Sequence, residues 1–112
     1  MKQVEKLPQA QKQQKLLNML GLARRAGRVS LGSDPSIEAL RKGQTFLILF
    51  ASDLSPRTAG GVQNAAEETG VPWRTTGATM DEISMALGKR TGVIAVNDAG
   101  FAKTLSSLCA DD

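Results

Sequence analysis

A continuous apolar run near the middle of the chain most constrains the fold. Residues 46–51 read Phe-Leu-Ile-Leu-Phe-Ala, without a polar position. A strand with one wet face alternates apolar and polar residues, whereas an unbroken run of strand length is typical of a central strand covered on both faces. Helices must therefore flank this strand on both sides.

Helix and strand patterns alternate along the rest of the chain. Apolar residues recur at helical spacing between capping residues, glycines and prolines, which predicts five helices. These helices cover residues 16–27, 35–42, 55–69, 79–87 and 98–108. Further strands are predicted at residues 71–75 and 92–96. The alternating order implies an α/β protein, a three-layer α/β/α sandwich around a four-stranded, mixed or mostly parallel sheet.

Single residues predict the ends and faces of some helices. Thr79 and Glu82 have the spacing of a capping box, in which each side chain accepts from the backbone N–H of the other residue. Asp98 is placed to cap the last helix. The first helix is expected to bury a broad apolar face, which consists of Leu16, Leu17, Met19, Leu20, Leu22 and Ala23.

The length of the chain sets the number of domains. A chain of 112 residues supports one compact domain that buries roughly two-thirds of its unfolded surface. We expect a flexible polar leader at residues 1–14, a single α/β domain at residues 15–109 and a short acidic tail at residues 110–112. No segment has the apolar length of a signal peptide or a membrane span, so a cytoplasmic protein is expected.

The scarcity of His and Cys excludes several enzyme classes. The chain has no His and one Cys, so the common zinc-ligand sets and the Ser-His and Cys-His catalytic pairs cannot be assembled within it. Cys109 lies in an apolar helix, where a small buried thiol is expected. Asp53 and Asp98 each follow a predicted strand and could hold Mg²⁺, although turn and cap roles explain them more simply. No cofactor is expected.

Aromatic residues are few in this chain. One Trp and three Phe lie within apolar runs. They are therefore predicted to pack in the core or at its edge, rather than to form a platform on which single-stranded bases stack.

An arginine-rich segment precedes the second predicted helix, whose start reads Gly32-Ser33-Asp34-Pro35. Backbone N–H groups at a helix start lack partners inside the helix and carry the positive end of the helix dipole, which favours an anion there. Gly32 allows a close backbone approach, Ser33 or Asp34 can cap, and Pro35 suits the first turn. The arginines ahead of this start are Arg24, Arg25 and Arg28.

Charge is unevenly divided along the chain. Residues 1–50 hold nine Lys or Arg and three acidic residues, whereas residues 51–112 hold five and eight respectively. The basic half therefore contains the arginine-rich segment, which favours an acidic partner such as nucleic acid. For the segment taken alone, a plain helix cap with solvated arginines is the alternative interpretation.

Five segments in order carry a family resemblance. They are residues 20–28 (LGLARRAGR), 32–34 (GSD), 51–58 (ASDLSPRT), 87–89 (LGK) and 98–102 (DAGFA). On these segments, the chain from about Leu16 to Leu108 resembles the kink-turn-binding family of large-subunit ribosomal proteins, in particular its small bacterial YlxQ-like branch. The resemblance implies a non-catalytic RNA-binding module that grips a sharply bent internal loop, with the start of the second helix entering the widened groove.

The resemblance also implies the contact residues. The family's helix start usually reads Gly, a small residue, Asn, Glu, two variable residues and Lys, whereas here Asp34 stands for the Asn, Pro35 for the Glu and Glu38 for the Lys. A carboxylate cannot donate to a base, and Glu38 would repel a phosphate, so weaker or altered specificity is expected. The loop at residues 88–93 matches the second contact segment, and Ser55 a peripheral one. The full predicted set is Arg25, Arg28, Leu31, Gly32, Ser33, Asp34, Pro35, Glu38, Ser55, Lys89, Arg90, Thr91 and Val93.

The function expected from these observations is RNA binding by a monomer. The expected partner is structured RNA, a kink-turn or ribosomal RNA, with the ribosome as a candidate assembly and no membrane. Two other functions stay open: a protein-interaction module of the same fold with weakened RNA binding, and a small Mg²⁺-dependent phosphate-handling enzyme that uses Asp53 and Asp98.

Overall fold

The computed structural model describes residues 8–109, in which helices and strands alternate. The helices are α1 (Gln9–Arg25), α2 (Ser33–Arg41), α3 (Pro56–Thr69), α4 (Met80–Leu87) and α5 (Ala99–Leu108). The strands are β1 (Val29–Leu31), β2 (Leu47–Phe50), β3 (Trp73–Thr75) and β4 (Val93–Val96). The alternation predicted from the sequence is confirmed, and β1 is the short strand that the pattern alone did not locate.

The four strands form one mixed sheet in the order β1-β4-β2-β3. β4 pairs antiparallel with both β1 and β2, and β2 pairs parallel with β3. The sheet is therefore mixed, and the alternative of a mostly parallel sheet is wrong. The physical reason is the insertion of β4 between two strands that run the other way, a long-range pairing that local sequence does not encode.

Helices cover both faces of the sheet, as the apolar run predicted. β2 is buried along its whole length, with no residue more than 2% exposed. Its side chains alternate between two cores: Leu47 and Leu49 face α1, α4 and α5, whereas Ile48 and Phe50 face α2 and α3. Burying side chains of this size stabilises the fold by about 1.5–3 kcal/mol each, which makes the three-layer α/β/α sandwich the stable arrangement.

The predicted caps are present at several helix ends. Thr79 and Glu82 form a complete capping box at the start of α4. Asp98 caps α5 by accepting from the N–H of Phe101 at 2.8 Å. Gly70 and Gly88 end α3 and α4 in the left-handed conformation, with φ of 74° and 79°. These ends form as local sequence predicts because capping involves neighbouring residues only.

The first helix begins earlier than the predicted boundary of the leader. α1 starts at Gln9, so residues 9–14 belong to the helix, whereas residues 1–7 and the tail at residues 110–112 lie outside the described residues. Gln13 explains the extension, because its side-chain amide donates to Glu82 at 2.9 Å and ties this turn of α1 to α4.

Two apolar side chains lie outside the cores in which the sequence placed them. Leu22 is 47% exposed, so it is not part of the buried face of α1. Phe46 precedes β2 instead of belonging to it, and is 50% exposed. Trp73 packs as predicted, edge-on to Phe50 with ring centroids 5.7 Å apart. No helix among residues 8–109 has the length and apolarity needed to cross a membrane.

Candidate nucleic-acid interface

Three helices begin at one end of the sheet. Because β4 runs opposite to its neighbours, the ends of β1, β2 and β3 meet the start of β4, and we call this end the carboxyl edge. Helices α2, α3 and α4 each follow one of these strand ends. Each helix start carries a partial positive charge, so their convergence creates a region suited to an anion.

Side chains cap two of the three helix starts. The hydroxyl of Ser55 accepts from the N–H of Thr58 at 3.3 Å and caps α3. At α4, the capping box is joined by Asp53, whose carboxylate accepts from the N–H of Met80 at 2.9 Å. The donors of these two starts are therefore largely satisfied within the protein.

The start of α2 has no side-chain cap. The cap position is Gly32, with φ 98° and ψ 165°, and α2 begins at Ser33. The predicted capping role of Ser33 or Asp34 is thus wrong, because both residues already lie inside the helix. Pro35 sits in the first turn as predicted. The α2 start is the helix end of the carboxyl edge at which an external acceptor can best be received.

The loop between α4 and β4 lies directly beside this open start. The N–H of Gly32 donates to the carbonyl oxygen of Val93 at 2.8 Å, and Leu31 pairs with Ile94 in the sheet. The N–H of Ala51 donates to the carbonyl of Gly92 at 2.9 Å. These bonds bring the two segments that the resemblance implied, residues 32–38 and 88–93, to one place.

The side chains of this loop divide into inward and outward groups. Thr91 and Val93 are 6% and 2% exposed, and the Thr91 hydroxyl both donates to and accepts from the backbone of Val93. Their side chains therefore shape the loop and do not reach the surface as the predicted contacts require. Lys89 and Arg90 are exposed, and Arg90 forms an ion pair with Asp81.

Acidic residues on α2 reduce the positive charge of its start. Asp34 is exposed in the first turn. Glu38 pairs with Lys42 at 3.1 Å, one turn nearer the helix end. This pairing offsets part of the charge by which Glu38 would repel a phosphate, whereas Asp34 remains a carboxylate next to the open amides.

The arginines do not surround the α2 start, which corrects the prediction from the sequence. Arg24 donates to the carbonyl of Leu87 and joins the ends of α1 and α4. Arg25 lies along a groove of about 620 Å³ between α1 and α4. The backbone carbonyl of Arg28 accepts from the N–H of Asn97 at the other end of β1, about 13 Å along the strand from Gly32 at ~3.3 Å per residue. Strand β1 separates Arg28 from Gly32, although they are close in sequence.

The remaining predicted contacts are Leu31, at the end of β1, and Ser55, at the carboxyl edge. Leu31 is half-buried in β1 and packs against the core under α1, α4 and α5. Ser55 is exposed at the carboxyl edge, where its hydroxyl also bonds that of Thr58 at 3.0 Å. Arg57, which the sequence patterns did not single out, is exposed in the first turn of α3 and adds a cation to this edge.

The two aspartates of the alternative enzyme hypothesis are separated by the sheet. Asp53 follows β2 at the carboxyl edge, whereas Asp98 follows β4, which ends at the opposite edge. Each caps a different helix. Across residues 8–109, no three His, Cys, Asp or Glu side chains group closely enough to hold a metal ion.

Comparisons with known proteins agree with this architecture. Residues 14–106 match the model of the "Ribosomal protein L7Ae/L30e/S12e/Gadd45 family". A Bacillus subtilis (strain 168) protein named RNA-binding protein YlxQ is 36% identical over 95 residues, covering 80% of this chain and 90% of the relative. An Enterococcus faecium protein of the same name is 32% identical over 95 residues, covering 85% of this chain and 91% of the relative.

Solved structures show the same fold. A Bacillus halodurans protein of unknown function superposes with a TM-score of 0.78 at 32% identity, covering 84% of this chain and 95% of that one. The Giardia lamblia 15.5kD RNA binding protein superposes with a TM-score of 0.71 at 16% identity, covering 93% of this chain and 87% of that one. With the family model spanning nearly all described elements, the chain belongs to the ribosomal protein L7Ae/L30e/S12e/Gadd45 family.

Proposed function

We propose that this protein is a non-catalytic, cytoplasmic RNA-binding protein that recognises a kink-turn or a similarly bent RNA through the carboxyl edge. The observation that carries the proposal is the hydrogen bond from Gly32 to Val93, which sets the uncapped start of α2 beside the basic loop at residues 88–92. The names of the Bacillus subtilis and Giardia lamblia proteins support RNA as the ligand.

The open amides and the cations of the carboxyl edge suit an RNA whose phosphate backbone borders a widened groove. The open amides of α2 receive a phosphate or a base-edge acceptor, and the cations on either side neutralise flanking phosphates. These cations are Lys89, Arg90 and Arg57. The interface is built largely on shape and charge, because Asp34 accepts a hydrogen bond from an amino group of guanine or cytosine but cannot donate one.

The residues that the sequence predicted contribute unequally to this proposal. Gly32, Ser33, Asp34 and Pro35 form the central contact, with Lys89 and Arg90 beside them and Ser55 at the periphery. Thr91 and Val93 act by holding the loop in shape. Arg25 and Arg28 lie outside the central contact and can only meet RNA that extends beyond it.

The acids on α2 favour one alternative, a protein-interaction module of the same fold in which RNA binding is weakened. Two carboxylates, Asp34 and Glu38, lie on the helix that would enter the RNA groove. The two functions differ in salt dependence. If three phosphates are neutralised, log K falls against log salt with a slope of roughly −2 to −3; an RNA-independent module shows no RNA affinity to titrate.

The test is a titration of three RNAs of equal length: a kink-turn, a straight duplex and a single strand. Lys89→Ala should weaken binding of the kink-turn several-fold, whereas Lys15→Ala, an exposed lysine on α1, should not. Glu38→Lys should strengthen the kink-turn complex more than the duplex complex, because it replaces a repelled carboxylate by an ammonium. Equal affinity for all three RNAs, or indifference to Lys89→Ala, would reject the proposed interface.

Ribosome association and a monomeric state are part of the proposal. Co-sedimentation with ribosomal subunits at low and high salt tests the first, and light scattering of the free protein tests the second. RNA binding without sedimentation on subunits would retain the proposed interface and reject the ribosome as the assembly.

A further inference from the structure

Phe46 is an aromatic side chain that the fold leaves on the surface. It is 50% exposed, although the four residues that follow it in β2 are at most 2% exposed. Its backbone is held in place, because its N–H donates to the carbonyl of Val96 at 2.8 Å. The ring is therefore presented to solvent from a fixed position at the end of the sheet opposite the carboxyl edge, which we call the amino edge.

Arg28 lies in the same row across the sheet as Phe46. Val96 pairs with Val29 on one side and with Leu47 on the other, so one residue further along, Asn97 lies between Arg28 and Phe46. The N–H of Asn97 donates to the carbonyl of Arg28 at 2.8 Å, which confirms the Arg28 side of the row. On the other side, the Asn97 side chain accepts from Thr45, the neighbour of Phe46 in sequence. At the usual spacing of strands, the two backbones are about 10 Å apart.

A network of side-chain hydrogen bonds holds this row of residues in place. The Thr45 hydroxyl bonds the side-chain oxygen of Asn97 at 2.9 Å, and the amide nitrogen of Asn97 donates to the Ser30 hydroxyl at 3.0 Å. Thr45 is only 6% exposed. The loop that carries Phe46 is thus fastened to β4 and β1, and little ordering cost remains for a ligand to offset.

Two cations precede the exposed ring in sequence, at the end of α2. Arg41 and Lys42 end α2, directly before the loop that leads to Phe46. Within residues 8–109, the guanidinium groups of Arg28 and Arg41 have no ion-pair partner. Lys42 pairs with Glu38, but the two side chains are 59% and 67% exposed, and a surface pair of this kind is weak and readily exchanged for a phosphate.

The positive surface is limited on one side. Glu67 and Glu68 are exposed near the end of α3, which leads into the edge strand β3. The cations instead lie before β1, as Arg28, and at the end of α2, where Arg41 and Lys42 share a groove with Asp34 and Glu38. Asp98, the acid that follows β4 at this edge, is engaged in capping α5. A polyanion would therefore cross from Arg28 past Phe46 toward Arg41 and avoid the β3 side.

We propose that Arg28, Arg41, Lys42, Phe46 and Asn97 form a second RNA-contact surface, which holds an unpaired segment of RNA at the amino edge. A base stacks on the Phe46 ring while the arginines meet the flanking phosphates, the combination by which proteins hold single strands without reading their sequence. The inference rests on the proposed function and extends it, because RNA held at the carboxyl edge must continue around the domain to reach this surface.

The experiment compares a blunt-ended kink-turn RNA with the same RNA carrying an extension of roughly ten unpaired nucleotides. For the unaltered protein, the extension should tighten binding by about fivefold or more, which is the gain in affinity expected when one base stacks on an aromatic ring. Phe46→Ala should abolish this gain and leave the blunt RNA unaffected, whereas Phe46→Tyr, which keeps a ring, should retain it. Arg28→Ala should reduce the gain.

A stacking readout separates recognition from a structural effect. With 2-aminopurine placed in the extension, its fluorescence should change on binding to the unaltered protein and to Phe46→Tyr, but not to Phe46→Ala. Thermal unfolding should show the three proteins equally folded, since Phe46 is half exposed. An extension that adds no affinity, or a gain that survives Phe46→Ala, overturns the inference.

The two proposals fail in different ways. Loss of the blunt kink-turn complex on Lys89→Ala concerns the carboxyl edge alone. A different result is that the protein binds the extension in a Phe46-dependent manner but does not prefer the kink-turn. In that case the kink-turn is rejected as the target, and the second RNA-contact surface is retained.

Discussion

Gly32 donates its backbone N–H to the carbonyl oxygen of Val93 at 2.8 Å, and this bond joins the start of α2 to the start of β4. The two residues are far apart in sequence, yet the bond sets an open helix start beside a basic loop. Gly32 adopts φ 98° to make it, a conformation in which a side chain is strained.

The strain at Gly32 predicts a stability cost for any side chain there. Gly32→Ala should lower the free energy of unfolding by about 1–3 kcal/mol and weaken RNA binding, because the helix start must shift. Gly60→Ala is the matched control: Gly60 is helical with open space around its Cβ position, so it should raise stability by up to about 1 kcal/mol. Urea unfolding checks both, and equal effects would contradict the argument.

The ion pair between Arg90 and Asp81 competes with RNA for the same guanidinium. Asp81→Asn should free Arg90 and tighten RNA binding a few-fold, because an exposed pair contributes at most about 1 kcal/mol. Arg90→Ala should weaken binding and reduce the salt slope by about 1, as expected for one lost phosphate contact. Filter-binding titrations over a range of salt measure both; weaker binding by Asp81→Asn would count against the competition.

The bond from Arg24 to the Leu87 carbonyl assigns a structural role to one of two adjacent arginines. Arg24→Ala should destabilise the protein by about 0.5–1.5 kcal/mol, because it leaves the end of α4 without this donor. Arg25→Ala, which removes a side chain from the open groove between α1 and α4, should cost less. Thermal unfolding of the two variants compares them, and the reverse order would refute the assignment.

The capping box at α4 should be measurable as helix stability. Thr79→Ala removes the hydroxyl that accepts from the N–H of Glu82 at 3.2 Å and should cost about 1 kcal/mol. Glu82→Ala should cost more, because Glu82 also accepts from Gln13 of α1 at 2.9 Å. Urea unfolding of both variants tests the order, and equal costs would show that the link to α1 contributes nothing.

Burial raises the pKa of the Cys109 thiol, although Arg74 and Lys12 oppose the rise. The neutral thiol is therefore favoured in the folded protein. Its contribution to stability is complete below the ordinary value of 9.0 and decreases above it, because the unfolded chain ionises first. Modification of Cys109 at pH 8 should be slower in the folded protein than in urea, and Cys109→Ala should reduce the loss of stability above pH 9. Equal rates in both states would contradict its burial.

Much of the fold could be predicted because its determinants are local. The apolar run of residues 46–51 required cover on both faces, and the spacing of Thr79 and Glu82 required a cap, whatever the remainder of the chain did. Phe46 is the exception within the run, since its exposure depends on where β2 ends against Val96. Strand β1 was implied only by the element order, because Val29–Leu31 is too short for a periodic pattern.

The segments that form the candidate site could be predicted from the sequence, but the positions of the charged residues around it could not. The sequence alone determined that a glycine-led helix start and a basic loop exist, and the family resemblance indicated that they act together. Only the tertiary structure decided which residues share an edge. Because β4 runs antiparallel to its neighbours, Asp98 after β4 lies at the amino edge with Arg28 before β1. Gly32, Asp53 and Arg90 lie at the other edge. Strand direction depends on pairing between distant segments, and proximity in sequence carries no information about it.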